Sequence, residues 1–168
     1  LEPGLFRRLL ARTVDRLPRR DDAEVTVEAN PETFTDEVAD AWVDAGVNRV
    51  SLGVQSLSEP VLELLGRRCD PDTARGALRR AVAAFGRVSA DWILGPGIDP
   101  SRLLEELSEA VDLGVEHVSL YVLELHEGTA LARAVAAGKT TLAGDAETER
   151  LYLACVDHLA SRGLEQYE

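Results

Sequence analysis

Methionine is absent from these 168 residues, and the chain opens on Leu1. The expectation is a piece of a longer protein. Cysteine is scarce as well. Cys69 and Cys155 supply neither a disulfide framework nor a close metal-ligand spacing, which favours a cytoplasmic location. Basic residues are outnumbered, 18 against 30 acidic, for a net charge of -12. That balance disfavours non-specific binding to nucleic acid or to an anionic membrane, which needs clustered Lys and Arg. No apolar run approaches the ~20 residues of a membrane span, and no signal-peptide pattern opens the chain. What remains is ordinary globular composition, 45% hydrophobic and 29% charged, in a length suited to one domain.

The stretch "EVTVEANPETF", residues 24–34, alternates Val25, Val27 and Ala29 with Thr26, Glu28 and Asn30 before Pro31 stops it. Such period-two alternation is a strand with one face in the core. The polar face is either solvated or lines a cavity. Four strands are expected: Glu24–Asn30, Arg49–Ser56, Val88–Gly95 and His117–Leu125, with a fifth opening at "GLEQYE". Helices are expected at Leu5–Leu17, Thr35–Ala45, Thr73–Phe85, Ser101–Leu113 and Asp145–Arg162, from apolar stripes at helical spacing. Thr35 is a plausible N-cap, and Ser101 an imperfect start to a capping box. Gly46, Gly86, Gly114 and Gly163 each follow a helix and precede a strand, where a left-handed residue ends the helix at little cost. Strand, helix, glycine, strand, repeated, is the pattern of βαβ units and a parallel sheet.

Parallel strands buried on both faces read as continuous apolar runs. These do not. Val50, Leu52 and Val54 alternate with Ser51, Gly53 and Gln55; Val88, Ala90, Trp92 and Leu94 alternate with Ser89, Asp91 and Ile93. One parity suits a covering layer of helices. The other collects Glu28, Asn30, Ser51, Gln55, Asp91, Ser119 and Tyr121. This points to a barrel or arc whose interior holds a ligand. Glu28, Gln55 and Asp91 fall toward the C-terminal halves of their strands, the end at which parallel α/β folds bind ligands. Carboxylates and an amide there suit a small molecule with hydroxyls and an amine, and Arg67 offers a fork for a carboxylate.

The segments "EANPETF", "GVNRVSLGVQS", "LLGRRCD", "ADWILGPG", "HVSLYVLELHEGT" and "GLEQYE", in this order, resemble the coproporphyrinogen-oxidase-like branch of the radical SAM enzymes. Within it the likeness is to the haem chaperone subgroup. It runs from residue 24 to the end. The resemblance implies a partial (β/α) TIM-like barrel, one domain over residues 1–168, with about four parallel strands and helices outside. It implies S-adenosylmethionine bound beside a 4Fe–4S cluster, haem or a porphyrin as ligand, and haem-receiving proteins as partners. Glu28, Gln55, Arg67 and Asp91 fall on positions that contact S-adenosylmethionine in the family. Glu124 falls on another, with outward parity, so a contact there runs through its backbone.

The departures are as informative. Nothing resembles the family's CxxxCxxC cluster motif, its glycine-rich segment or its C-terminal domain, which are expected outside this chain. Cys69 stands where the family commonly has His, and "GPGID" replaces the usual "GLPGQ". Cys155 reads as core, Cys69 as a lone thiol, and His117, His126 and His158 as structural. The helix Leu5–Leu17 reads as packing on the barrel. Three functions stay open: a piece of a haem chaperone; a piece of a true oxygen-independent oxidase that decarboxylates propionates by hydrogen abstraction; or a degenerate module that binds S-adenosylmethionine without redox chemistry.

Overall fold

The alternation of strand and helix is present in a computed structural model, which describes residues 2–17 and 20–167. Helix α1 (Pro3–Arg16) precedes β1 (Thr26–Ala29), a 3₁₀ turn (Pro31–Thr33) and α2 (Asp36–Asp44). Then come β2 (Arg49–Gln55), α3 (Glu59–Leu64), α4 (Pro71–Ala84) and β3 (Val88–Leu94). The chain continues through α5 (Pro100–Leu113), β4 (His117–Val122), α6 (Ala130–Ala136) and α7 (Asp145–Ser161). The strands form one sheet in the order β1-β2-β3-β4, each parallel to its neighbour. This is the expected α/β arrangement. Among the described residues, one edge of β1 and one of β4 stay unpaired.

The apolar parity faces the helices. Val50, Leu52, Val54, Val88, Ala90, Trp92 and Leu94 are buried with Trp42, Leu78, Leu107, Cys155 and Leu159. Each large side chain so buried contributes roughly 1.5–3 kcal/mol, so this layer carries most of the stability. Helix α1 adds to it from outside. Phe6 meets Trp42 with ring centroids 5.4 Å apart, and Arg7 pairs with Asp44 at 2.5 Å. Among the described residues no helix is long and apolar enough to cross a membrane.

Several boundaries differ from expectation, for local reasons. β1 begins at Thr26 instead of Glu24 because the Asn48 side chain takes over the preceding backbone. It accepts from the Val25 amide at 2.8 Å and donates to the Ala23 carbonyl at 3.0 Å. β4 stops at Val122 instead of Leu125. No fifth strand forms over Leu164–Tyr167; Glu168 lies outside the described residues. The Leu164 amide turns back to the Leu159 carbonyl at the end of α7, and Tyr167 reaches His117 at 2.6 Å. α4 and α5 start earlier than expected because Asp70 and Asp99, each followed by proline, cap them. Asp99, not Ser101, accepts the first-turn amide, that of Arg102, at 2.9 Å. Proline at the first helical position has no donor to leave unsatisfied. Thr35 does cap α2, accepting from the Val38 amide at 3.3 Å. The short helices α3 and α6 were not expected at all.

Of the four helix-ending glycines, Gly46, Gly114 and Gly163 have positive φ, and Gly86 does not. α4 ends instead in an extended Phe85, at φ -123°, so no left-handed residue is needed there. Gly114 is doubly constrained. Its φ is 106°, and a Cβ would lie 2.9 Å from Val82 Cγ1, whereas a Cβ at Gly163 would meet open space. Gly163→Ala is therefore expected to cost about 1 kcal/mol for backbone conformation alone, and Gly114→Ala some 1–3 kcal/mol more for overpacking. Urea unfolding of the two variants of the whole protein measures this; equal midpoints would contradict the Val82 contact.

Candidate functional site

The inner face of the sheet is largely polar, with Ile93 an apolar exception, and its lower part is closed by ion pairs. Glu24 takes Arg49 at 3.3 Å and Arg87 at 2.9 Å, while Arg49 also donates to the buried Ser89 hydroxyl. The Glu24 carboxyl is held below its usual range, first by the Thr26 hydroxyl and then by the two guanidinium groups. Above this layer, Ser51 donates to Asp91 at 3.2 Å. Above that the face opens. Glu28, Asn30, Gly53, Gln55 and Asp91 line one cleft of about 470 Å³, bounded at the β1 edge by Thr33, Val38 and Trp42.

Gln55 reaches this cleft by an irregular route. Leu52 sits opposite Ala90, but Gln55 sits opposite Trp92, so β2 carries one residue more than β3 over this stretch. In a parallel pair, opposed residues face the same side, and Trp92 faces the helices. Gln55 escapes that direction through a left-handed backbone, at φ 69°, rare for a residue other than glycine. Gly53 makes the room. A Cβ there would stand 2.8 Å from Gln55 Nε2 and 3.4 Å from Asn30 Oδ1.

Arg67 follows α3 and bends back over the same spot. Its Nη2 donates to Asn30 Oδ1 at 2.8 Å and to the Gly53 carbonyl at 3.0 Å. It forms no ion pair among the described residues. Two buried polar atoms in this corner have no partner: Gln55 Oε1 and Arg67 Nε. A buried polar atom left unsatisfied costs about 1–3 kcal/mol, and such atoms gather where a ligand completes the bonding.

The structure thus brings Glu28, Gln55 and Asp91 into one cleft, with Arg67 tied to two of its lining residues. Glu124 stands apart, beyond the end of β4, its side chain 84% exposed and 3.9 Å from His126. Ser119 and Tyr121 line a different groove of about 410 Å³, along the open edge of β4 beside α7. Asn30 and Gly53 belong to the site although sequence reasoning gave neither a ligand role. A glycine inside a strand pattern was the signal for the bulge. Sequence reasoning also missed Glu106, a buried carboxylate on α5 within the stripe Leu103, Leu107 and Ala110. It accepts from the Leu57 amide at 2.7 Å, Ser56 Oγ at 3.1 Å and Trp92 Nε1 at 3.2 Å.

A family model described as the Radical SAM superfamily matches residues 2–110. The chain belongs to that superfamily. It is 38% identical over 162 residues to the heme chaperone HemW of Mycobacterium tuberculosis, covering 95% of this chain and 42% of that one. It is 35% identical over 158 residues to the anaerobilin synthase of Escherichia coli O157:H7, covering 93% and 36%. The chain therefore spans about two fifths of the length of these curated relatives. The solved coproporphyrinogen III oxidase HemN of Escherichia coli superposes with a TM-score of 0.79 at 24% identity, over 97% of this chain and 38% of that one. That likeness shows a shared fold, the radical SAM type of TIM-like barrel.

A radical SAM protein calls for an iron–sulfur cluster, and the donors here do not fit one. Cys69 and Cys155 are both buried, and no group of three His, Cys, Asp or Glu side chains among the described residues is placed to hold a metal. Burial pushes both thiols up, Cys155 to about 11. The stabilisation gained by keeping the Cys155 thiol neutral is whole below its ordinary value of 9.0 and is lost as pH rises to about 11. A two-unit rise leaves about a hundredth of the thiolate at neutral pH. Iodoacetamide at pH 8, with modified sites mapped by mass spectrometry, is expected to spare Cys155 in the native protein and label it on unfolding. Rapid native labelling would contradict the burial.

Proposed function

We propose that the cleft at the C-terminal ends of β1, β2 and β3 binds S-adenosylmethionine, within a longer radical SAM protein that handles haem. The observation that carries this reading is the pair of orphaned buried atoms, Gln55 Oε1 and Arg67 Nε, at a cleft that also holds two carboxylates. An amine and ribose hydroxyls suit Glu28 and Asp91, which accept only. A carboxylate suits the guanidinium of Arg67. Gln55 can accept through Oε1, and Glu124 contributes through its backbone. When bound beside a 4Fe–4S cluster, S-adenosylmethionine supplies radical-initiated hydrogen abstraction. Ligands for that cluster come from outside residues 1–168 in this reading.

The haem chaperone function is supported by the 38% identity to HemW, with haem or a porphyrin as ligand, haem-receiving proteins as partners and the cytoplasm as location. A second, catalytic reading draws on the 35% identity to an anaerobilin synthase. Coproporphyrinogen oxidation rests on fold likeness alone. Titration of the full-length protein with haemin, followed in the Soret region, is expected to show saturable binding without anaerobic consumption of coproporphyrinogen III. Consumption of the porphyrinogen would favour the oxidase.

The site itself is tested by S-adenosylmethionine calorimetry on the cluster-loaded, full-length protein. Arg67→Ala leaves the ligand carboxylate unpaired and is expected to cost roughly 2–5 kcal/mol, a loss of some 30-fold or more in affinity. Glu28→Gln should weaken binding less, since an amide oxygen still accepts. Arg68 is exposed and adjacent, so Arg68→Ala controls for general charge. Equal, small losses at Arg67 and Arg68 would refute the assignment.

A further inference from the structure

Glu106 is 3% exposed and lies in the helix layer, on the side of the sheet away from the cleft. A carboxylate so placed needs several donors to hold it. It finds them at two points that flank Gln55. Along the chain it accepts from Ser56 Oγ and the Leu57 amide, the two residues that follow Gln55. Across the sheet it accepts from Nε1 of Trp92, which sits opposite Gln55. One side chain therefore ties the two residues that follow Gln55 to the one opposite it, and Gln55 is the only described residue other than glycine with positive φ. A left-handed glutamine costs on the order of 1–2 kcal/mol, and it persists only when its surroundings over-determine it. Glu106 and Gln55 line a small pocket of about 50 Å³ with Ser56 and Arg102, and Glu106 is not among the residues that line the cleft. Glu106 acts through the backbone and not by touching the cleft's contents.

From this geometry we infer that Glu106 is a positioning residue, holding Gln55 in its left-handed conformation and so aiming its carboxamide into the cleft. The inference deepens the S-adenosylmethionine reading and rests on it for the ligand. The role requires acceptor oxygens rather than charge. An amide oxygen in the place of Oε2 accepts from both Leu57 and Trp92, and the amide nitrogen donates to Ser56 Oγ. Glu106→Gln is thus expected to preserve the arrangement and Glu106→Leu to release it.

The experiment has two arms, both on the full-length protein. The first needs no ligand: crystal structures of Glu106→Leu and Glu106→Gln. Gln55 is expected to leave positive φ in the first and keep it in the second; positive φ retained in Glu106→Leu overturns the inference. The second arm is a double-mutant cycle on S-adenosylmethionine affinity. Glu106→Leu is expected to weaken binding about tenfold with Gln55 present and less than about twofold in a Gln55→Ala background, with Glu106→Gln near wild type. Equal losses in both backgrounds would mean a merely structural role and overturn the inference. Should Glu106→Leu fail to fold, Ser56→Ala removes one of the carboxylate's donors and enters the same cycle, with the same criterion. A wild-type protein that binds no S-adenosylmethionine would sink the functional reading, and the first arm would still decide the role of Glu106.

Discussion

Between Leu52 and Gln55 the second strand carries one residue more than the third, and the site depends on how that excess is absorbed. Without it, Val54 would stand opposite Trp92 and Gln55 opposite Ile93; with it, Gln55 stands opposite Trp92, which faces the helix layer, and must be turned back toward the cleft. The excess is accommodated by Gly53, which leaves space beside Gln55 and Asn30, and by a left-handed backbone at Gln55 itself. Arg67 then closes over the spot, bonding both the Gly53 carbonyl and Asn30. Bulges in strands commonly re-aim a side chain beside a functional site. Here the same irregularity places Gln55, leaves the Gly53 carbonyl to Arg67 and groups both with Asn30, the residue that follows β1.

These features are costly, and the two faces of the sheet divide the labour. The inner face keeps two unsatisfied buried atoms, each worth about 1–3 kcal/mol, and a strained glutamine. The outer face offsets this with a continuous apolar layer from Trp42 to Leu159. Because each strand alternates, the two jobs are written on adjacent residues and do not compete for positions. Glu106 is the exception, a carboxylate placed in the apolar layer. Its three kinds of donor all belong to the segment around the bulge, which explains why a leucine does not stand there.

Much of this was legible in the sequence because alternation and helix-ending glycines are local signals. The parallel four-stranded sheet follows from the repeated strand, helix and glycine, and the outward apolar parity and the inward Glu28 and Asp91 from counting by twos. What was not legible depends on contacts far apart in sequence. β1 is short because Asn48 captures the backbone before Thr26. Tyr121 shares the parity of Asp91 yet lines the β4 groove, since its strand lies at the open edge of the sheet. Counting also assigned Gln55 to the inner face for an incomplete reason, because the register shifts beneath it and only the left-handed backbone restores its direction. Glu106 interrupts an apolar helical stripe, a visible anomaly, but its donors lie 14 to 50 residues away.

The upper inner face, organised around the β2 bulge, is the proposed seat of S-adenosylmethionine. Amide hydrogen exchange on the cluster-loaded, full-length protein, with and without S-adenosylmethionine, tests it most directly. Slowed exchange is expected in peptides spanning residues 28–33, 53–57 and 67, with α7 and the β4 edge at 117–121 unchanged. Protection confined to the β4 edge, with the bulge and Arg67 unaffected, would contradict it.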